Sequence, residues 1–303
     1  MRPGVATSGR RTEVALSRAV SPSPFLKWAG GKAQLLEQFE PFFPKRMERY
    51  VEPFVGSAAV FFYVMERFRP PGIVLSDNNE ELINTYRAVR DDVETLIALL
   101  EEHRRKHGKD YYYKLRALNT KRLGPTEKAA RLVYLNKTCY NGLYRVNSRG
   151  EFNVPMGSYK NSRIFDAENL RLVSEYLKGA EIRCRHFEAY VRLAKKGDFF
   201  YFDPPYHPLS PTSSFTAYTA GAFTEKDQER LAEVYRALDR KGCKLMLSNS
   251  DCKFIHGLYA GFQKKKVRAR RAINSNGRGR GEIDELLILN YEPQGTGIRR
   301  GIK

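Results

Sequence analysis

Residues 197–208 read GDFFYFDPPYHP. An apolar, aromatic run of strand character ends in Asp203, Pro204, Pro205 and Tyr206. Each proline holds φ near about −65° and removes an N–H donor. The backbone there is stiff, and the Pro204 carbonyl is a pure acceptor beside the Asp203 carboxylate. Two adjacent acceptors suit a group with two N–H donors on a flat ring, such as the exocyclic amine of a nucleobase. Drawing both hydrogens onto acceptors pulls the nitrogen toward tetrahedral geometry and frees its lone pair for attack. Tyr206 adds a flat ring beside them. This chemistry needs no metal and no strong base before attack. Asp-Pro-Pro also starts ordinary turns; the strand before it and the pattern upstream favour the chemical use.

The elements that must position these residues follow from periodicity. YVEPFVGSAA at residues 50–59 predicts a short strand, a turn of small residues and a helix through about Arg67. Residues 72–77 predict a second strand ending in Asp77, about 20 residues beyond Gly56. That is the pattern of a first βαβ unit in a nucleotide-binding sheet. Small residues let a ligand approach the backbone, and the acid can hold ribose hydroxyls. Residues 78–107 read as mostly helical, and 126–138 as a further helix. YNGLYRVNSRGEFNVPMGSYKN then predicts two short polar strands around a turn at Ser148-Arg149-Gly150. The α/β alternation resumes with a strand at 198–203, a helix at 224–239 and a strand at 244–249. A basic stretch over 264–280 reads as a loop that holds phosphates at the mouth of a cleft, and 284–291 as the final strand. The sum is an α/β fold: a mostly parallel sheet with helices on both faces, interrupted by a basic insert. Ligands bind such sheets at the carboxyl ends of the strands, where Phe54, Asp77, Asp203 and Asn249 fall.

The chain has 303 residues, enough for one large domain or two unequal ones, and its net charge is +19. An excess of that size implies a polyanionic partner, nucleic acid first and an anionic membrane surface second. About half of it lies between residues 101 and 185. No stretch approaches the roughly 20 apolar residues of a membrane span. Residues 1–20 carry arginines but no apolar secretory core, and read as a flexible basic extension; 294–303 read as a flexible tail. Cys139, Cys184, Cys243 and Cys252 show no paired spacing, as expected of reduced thiols in the cytoplasm. His103 and His107 are four apart without the glutamate of a zinc-protease helix, and a solvated basic face is the expectation. Gly30-Gly31-Lys32 is not a phosphate-binding loop: Leu26 stands where its first glycine belongs, and Ala33 follows the lysine.

Three motifs carry a resemblance. PFLKWAGGK at residues 24–32, the Phe-x-Gly motif in EPFVGSA, and DPPY after FFYF are together similar to the Dam-type DNA adenine-N6 methyltransferases of the D12 class. The order of motifs is the family's, with the hairpin block and the block from Arg270 to Pro293 as further matches, over residues 23–293. The resemblance implies a Rossmann-like, mostly parallel methyltransferase sheet with an inserted helical plus β-hairpin target-recognition domain. Residues 21–90 and 186–293 would form the catalytic domain, and 91–185 the recognition domain. It implies S-adenosylmethionine as methyl donor, no metal, and double-stranded DNA as partner. It further implies no membrane, a monomer, and a place in the cytoplasm with the nucleoid. Trp28 and Lys32 match cofactor contacts, Phe54 and Gly56 the loop under the cofactor, and Asp77 the ribose acid. Asp203 matches a residue near both the methionine moiety and the target amine. Pro204, Pro205 and Tyr206 complete the catalytic motif, holding and stacking a flipped adenine.

In the recognition set, Lys27 matches a lysine that contacts the first guanine of GATC. Leu143, Arg145 and Pro155 match positions that read further bases, and Tyr140 and Asn141 match residues that support the gap left by the flipped base. A guanidinium suits the O6/N7 edge of guanine. One departure stands out: the family often has a second glycine two residues after Gly56, and here that residue is Ala58. Backbone strain or a tighter cofactor pocket follows from the added methyl. Two other readings stay open, an adenine methyltransferase with a different target and a DNA-binding protein of the same fold with impaired catalysis. An enzyme that stands alone and one paired with a nuclease are equally compatible with the residues.

Overall fold

The computed structural model describes residues 21–159, 163–209, 223–270 and 282–293. The expected extension at 1–20, the tail at 294–303 and residues 271–280 of the basic stretch lie outside them. A short α1 (Leu36–Phe39) precedes β1 (Arg49–Glu52), α2 (Ala59–Arg67) and β2 (Gly72–Asp77). The expected helical stretch is two helices, α3 (Glu80–Asp91) and α4 (Val93–Arg105), broken where Asp92 leaves helical backbone geometry. Next come α5 (Lys109–Arg116) and α6 (Pro125–Thr138). Pro125 opens α6, where a missing N–H costs nothing. After the hairpin region, α7 (Ala167–Leu177) leads to β3 (Glu181–Cys184), and α8 (Tyr190–Leu193) to β4 (Phe199–Phe202). The chain closes with α9 (Glu225–Arg240), β5 (Lys244–Ser250), α10 (Lys253–Leu258), β6 (Gln263–Arg270) and β7 (Glu282–Leu289).

The strands form one seven-stranded sheet in the order β3-β2-β1-β4-β5-β7-β6. The pairs from β3 to β5 are parallel; β7 runs antiparallel to both β5 and β6. Strand alternation sorts side chains to two faces. Tyr50, Phe199, Tyr201, Met246 and Leu287 belong to one core. Their chain neighbours Val51, Phe200, Phe202, Leu247 and Ile288 belong to the other. Both faces are therefore buried, as a parallel sheet covered by helices requires. The first core continues into α3, α4, α5 and α6 through Leu82, Leu96, Tyr112 and Tyr134. At the amino edge of the sheet, Arg49 donates through Nε to Asp198 Oδ1 at 2.9 Å, tying the start of β1 to the start of β4.

Two expectations need correction, and one element is unexpected. The basic stretch expected as a loop is, over Gln263–Arg270, the edge strand β6, paired to β7 along its whole length. Charge suits an edge strand because lysines there deter pairing with another chain. Lys266 is paired with Asp251 at 2.7 Å, and Lys264 donates to the Tyr259 carbonyl at 2.7 Å. The unexpected element is β3, which the sequence does not announce: of its four residues only Ile182 is buried, so no alternation shows. It lies within the 91–185 segment yet completes the opposite edge of the sheet. Finally, His103 and His107 are not on a solvated face. Each is partly buried with its Nδ1 at a tyrosine hydroxyl, Tyr111 at 2.7 Å and Tyr134 at 2.8 Å. The hairpin turn is present: Asn147 N–H reaches the Glu151 carbonyl at 2.9 Å, Gly150 takes a φ of 76°, and Val146 bridges Phe152.

Candidate active site

The strand order reverses between β1 and β4, so the loops after these two strands open a crevice at the carboxyl edge. Asp203 follows β4 directly. Its Oδ1 lies 2.8 Å from Lys32 Nζ and accepts from Ser248 Oγ at 2.9 Å. Lys32 is almost wholly buried; it also donates to the Gly30 carbonyl at 2.6 Å and stands 4.6 Å above the Tyr206 ring. Lys32, expected at the cofactor, thus joins the first motif to the Asp-Pro-Pro-Tyr motif. The Pro205 carbonyl accepts from Gln228 Nε2 at 2.8 Å. Gln228 is held in turn by Asn249, whose Oδ1 takes the His207 N–H. Among the described residues, none donates to the Pro204 carbonyl or to Asp203 Oδ2. Within the motif, Asp203 Oδ1 and the Pro205 carbonyl are thus engaged, and the acceptor pair read from the sequence is not engaged by any described residue.

The other side of the crevice is built on glycine. Gly56, at a φ of 45°, faces Trp28, whose Cδ1 would lie 3.2 Å from a β-carbon placed there. The Gly56 carbonyl accepts from Tyr86 at 2.8 Å, and its N–H points to Asp77 Oδ2 at 3.4 Å. Trp28 stacks on Tyr144 with ring centres 5.3 Å apart, and Phe54 stacks on Phe187 at 5.5 Å. Burial pushes the Asp77 carboxyl up to about 6, against the backbone N–H groups of Asn79, Gly56 and Asn78. Glu52, at the end of β1, is buried with Tyr50 donating to it at 2.7 Å. Burial pushes its carboxyl far up, and the Asp203 and Asp77 charges add to that.

Ala58 is where the sequence departs from the family pattern, and the departure is strained. The residue is buried at φ 59°, ψ 21°, the left-handed region, as it caps α2. A side chain costs about 1 kcal/mol there relative to glycine. Ala58→Gly is expected to stabilise the fold by up to about 0.6 kcal/mol, after the extra freedom glycine gives the unfolded chain. Urea denaturation checks this; an unchanged or lower midpoint would mean the strain is relieved elsewhere.

The six residues expected to read DNA are all exposed, and five of them lie on two facing stretches of chain. Tyr140 N–H donates to the Pro155 carbonyl at 2.9 Å, and Arg145 Nε to Asn153 Oδ1 at 2.7 Å. Asn141, at a φ of 53°, turns the chain between Tyr140 and Leu143. Lys27 belongs to the first motif but reaches this surface: its β-carbon would be 2.4 Å from a β-carbon on Gly142, and its Nζ lies 4.2 Å over the Tyr159 ring. Buried Asn136 joins the two. It accepts from Lys27 N–H at 2.7 Å and donates through Nδ2 to the carbonyls of Lys27 at 2.7 Å and Gly142 at 3.0 Å.

Asn136, Ser248, Gln228, Glu52 and Glu285 are site-building residues that the motif reading passed over. A polar residue inside an apolar helix, as Asn136 is in RLVYLNKT, was the available signal for one of them. Glu285, which accepts the Tyr206 hydroxyl at 2.6 Å, gave none.

Residues 28–273 match the family model of the D12 class N6 adenine-specific DNA methyltransferases. The chain is 48% identical to a Type II methyltransferase, M.MjaIII, of Methanocaldococcus jannaschii, over 88% of this chain and 99% of the relative. It is 43% identical to the Type II methyltransferase M1.LlaDCHI of Lactococcus lactis, over 88% and 95% of the two chains. To the DNA adenine methylase of Escherichia coli K12 it is 37% identical, over 89% and 95%. A nearly full-length match of this kind, around a crevice with open acceptors at Asp203 and Pro204, places the chain in the D12 class of adenine-specific DNA methyltransferases.

Proposed function

We propose that the protein moves a methyl group from S-adenosylmethionine to N6 of an adenine turned out of duplex DNA, within GATC. The observation that carries this is the acceptor pair, Asp203 Oδ2 and the Pro204 carbonyl, to which no described residue donates, beside an Asp203 Oδ1, a Pro205 carbonyl and a Tyr206 hydroxyl that are engaged. The residues around Gly56 fit the donor: glycine leaves room beside Trp28, and Asp77 sits one strand away with a carboxylate for ribose. When bound, S-adenosylmethionine supplies an electrophilic methyl group. The chain holds and orients. Asp203 and Pro204 take the two amine hydrogens, Pro205 stiffens the backbone, and Tyr206 stacks on the base. Lys32 binds Asp203 on the oxygen away from the amine. Trp28 and Phe54 flank the donor. Fixing both reactants accounts for much of such an acceleration.

DNA is the partner that +19 of charge suits. No helix among the described residues is long and apolar enough to cross a membrane. Extruding a base costs a few kcal/mol, which Tyr140 and Asn141 offset by filling the gap. Arg145, oriented by Asn153, reads guanine; Leu143 and Pro155 offer apolar contact to a thymine methyl; Lys27 takes the first guanine. Residues 91–185, apart from β3, act as the recognition segment and the sheet as the catalytic one, in a monomer. The test is methyl incorporation from labelled S-adenosylmethionine into matched duplexes bearing GATC or GTAC. Label in GATC alone, recovered as N6-methyladenine, is the expected result. Label in both keeps the chemistry and discards the reading set; none, with DNA bound, favours an impaired binder.

Asp77 adds a pH dependence. Its carboxyl titrates near 6 because it is buried, and the ionised form is the better acceptor for ribose hydroxyls. Affinity for S-adenosylmethionine is expected to fall as pH drops from 7.5 to 5.5, and Asp77→Asn to flatten that dependence. Calorimetric titration at the two pH values checks it. An unchanged slope in the variant would move the dependence to another group.

A further inference from the structure

Parallel strands deliver their carboxyl ends to the crevice. β7 runs the other way, so it delivers its amino end there. Glu285 lies near that end, opposite Ser250 of β5 and Val267 of β6. Its Oε2 accepts the Tyr206 hydroxyl at 2.6 Å. Tyr206 is thereby fixed at both ends: Pro204 and Pro205 set its backbone, and Glu285 holds the far tip of the ring. Burial raises both the Tyr206 phenol and the Glu285 carboxyl, so the phenol stays a neutral donor. A ring held only at its α-carbon swings about two torsions. A ring also held at its hydroxyl keeps one plane, and stacking depends on that plane.

We infer that Glu285 is a positioning residue for base capture, one that sets the plane on which Tyr206 receives the extruded adenine. The inference rests on the methyl-transfer reading above. It gives the Tyr206 hydroxyl a use: the hydroxyl anchors while the ring face stacks.

The experiment uses the duplex that the wild-type protein methylates, and a copy with 2-aminopurine in place of the target adenine. Single-turnover methyl transfer and 2-aminopurine fluorescence are read for the wild type, Glu285→Ala, Glu285→Gln, Tyr206→Phe and Glu285→Ala with Tyr206→Phe. Glu285→Ala and Tyr206→Phe are each expected to lose about 10-fold in the single-turnover rate, with the fluorescence change on binding altered alike and DNA affinity within about twofold. The double variant is expected to lose no more than either single one, since both remove one bond. Glu285→Gln keeps an acceptor without the charge and is expected to restore most of the rate. Wild-type rate and fluorescence in Glu285→Ala, or additive losses in the double variant, would overturn the inference while leaving the methyl-transfer reading intact. A wild-type protein that transfers no methyl to any duplex overturns the reading, and the inference with it.

Discussion

Asp203→Ala is expected to lower single-turnover methyl transfer by about a thousandfold or more, a loss of about 4 kcal/mol of transition-state stabilisation. DNA affinity should change by less than about threefold, because binding to duplex rests on phosphate contacts spread over a basic surface. In the proposed mechanism the carboxylate accepts a hydrogen bond from the amine, and the described side chains that contact Asp203, Ser248 and Lys32, are donors to it rather than substitute acceptors. Removing Asp203 also strips Lys32 of its counter-charge in a buried setting, which costs stability as well as rate. Asp203→Asn separates the two effects: it keeps the volume and one acceptor, and should lose less rate than alanine. Rapid-quench methylation and gel-shift titration measure both. Turnover of Asp203→Ala within tenfold of wild type would sink the acceptor-pair mechanism.

Asn136→Leu is the second large effect. Leucine keeps the branching of asparagine with somewhat greater bulk but leaves the Lys27 N–H, the Lys27 carbonyl and the Gly142 carbonyl without their partner. Unsatisfied buried polar groups cost about 1–3 kcal/mol each, so a loss of about 3 kcal/mol or more is expected. The same change should reduce discrimination between GATC and GTAC, because Asn136 holds the first motif against the turn that carries Tyr140 and Asn141. Denaturant titration reads the first effect and competition methylation the second. Wild-type stability would mean that other bonds join the two segments.

How far the residues announced this arrangement varies by element, for physical reasons. β4 was legible because FFYF alternates between two buried faces and ends at two prolines. The first βαβ unit was legible because Gly56 and Asp77 bracket a helix of apolar period. β6 was hidden by its lysines, since an edge strand needs no apolar alternation. β3 was hidden because a single buried residue in four makes no pattern. The direction of β7 could not be read at all: an alternation of period two looks the same from either end. That direction is what brings Glu285 to Tyr206. Ala58 was visible as a departure, whereas its left-handed backbone became visible only with the fold.

The central strand pair carries a consequence for how the protein comes into being. β1 rests against β4, with Arg49 and Asp198 separated by 149 positions. At about 5–20 residues per second, a ribosome makes β4 roughly seven to thirty seconds after β1. Through that interval the nascent chain presents one flank of β1, with Tyr50 and Val51, unpaired. The helices α3 to α6 and the hairpin emerge in the meantime and can begin to fold. Biogenesis therefore builds outward from β1 through β2 to the edge strand β3 before β4 arrives, and chaperone capture of this chain should end when β4 docks.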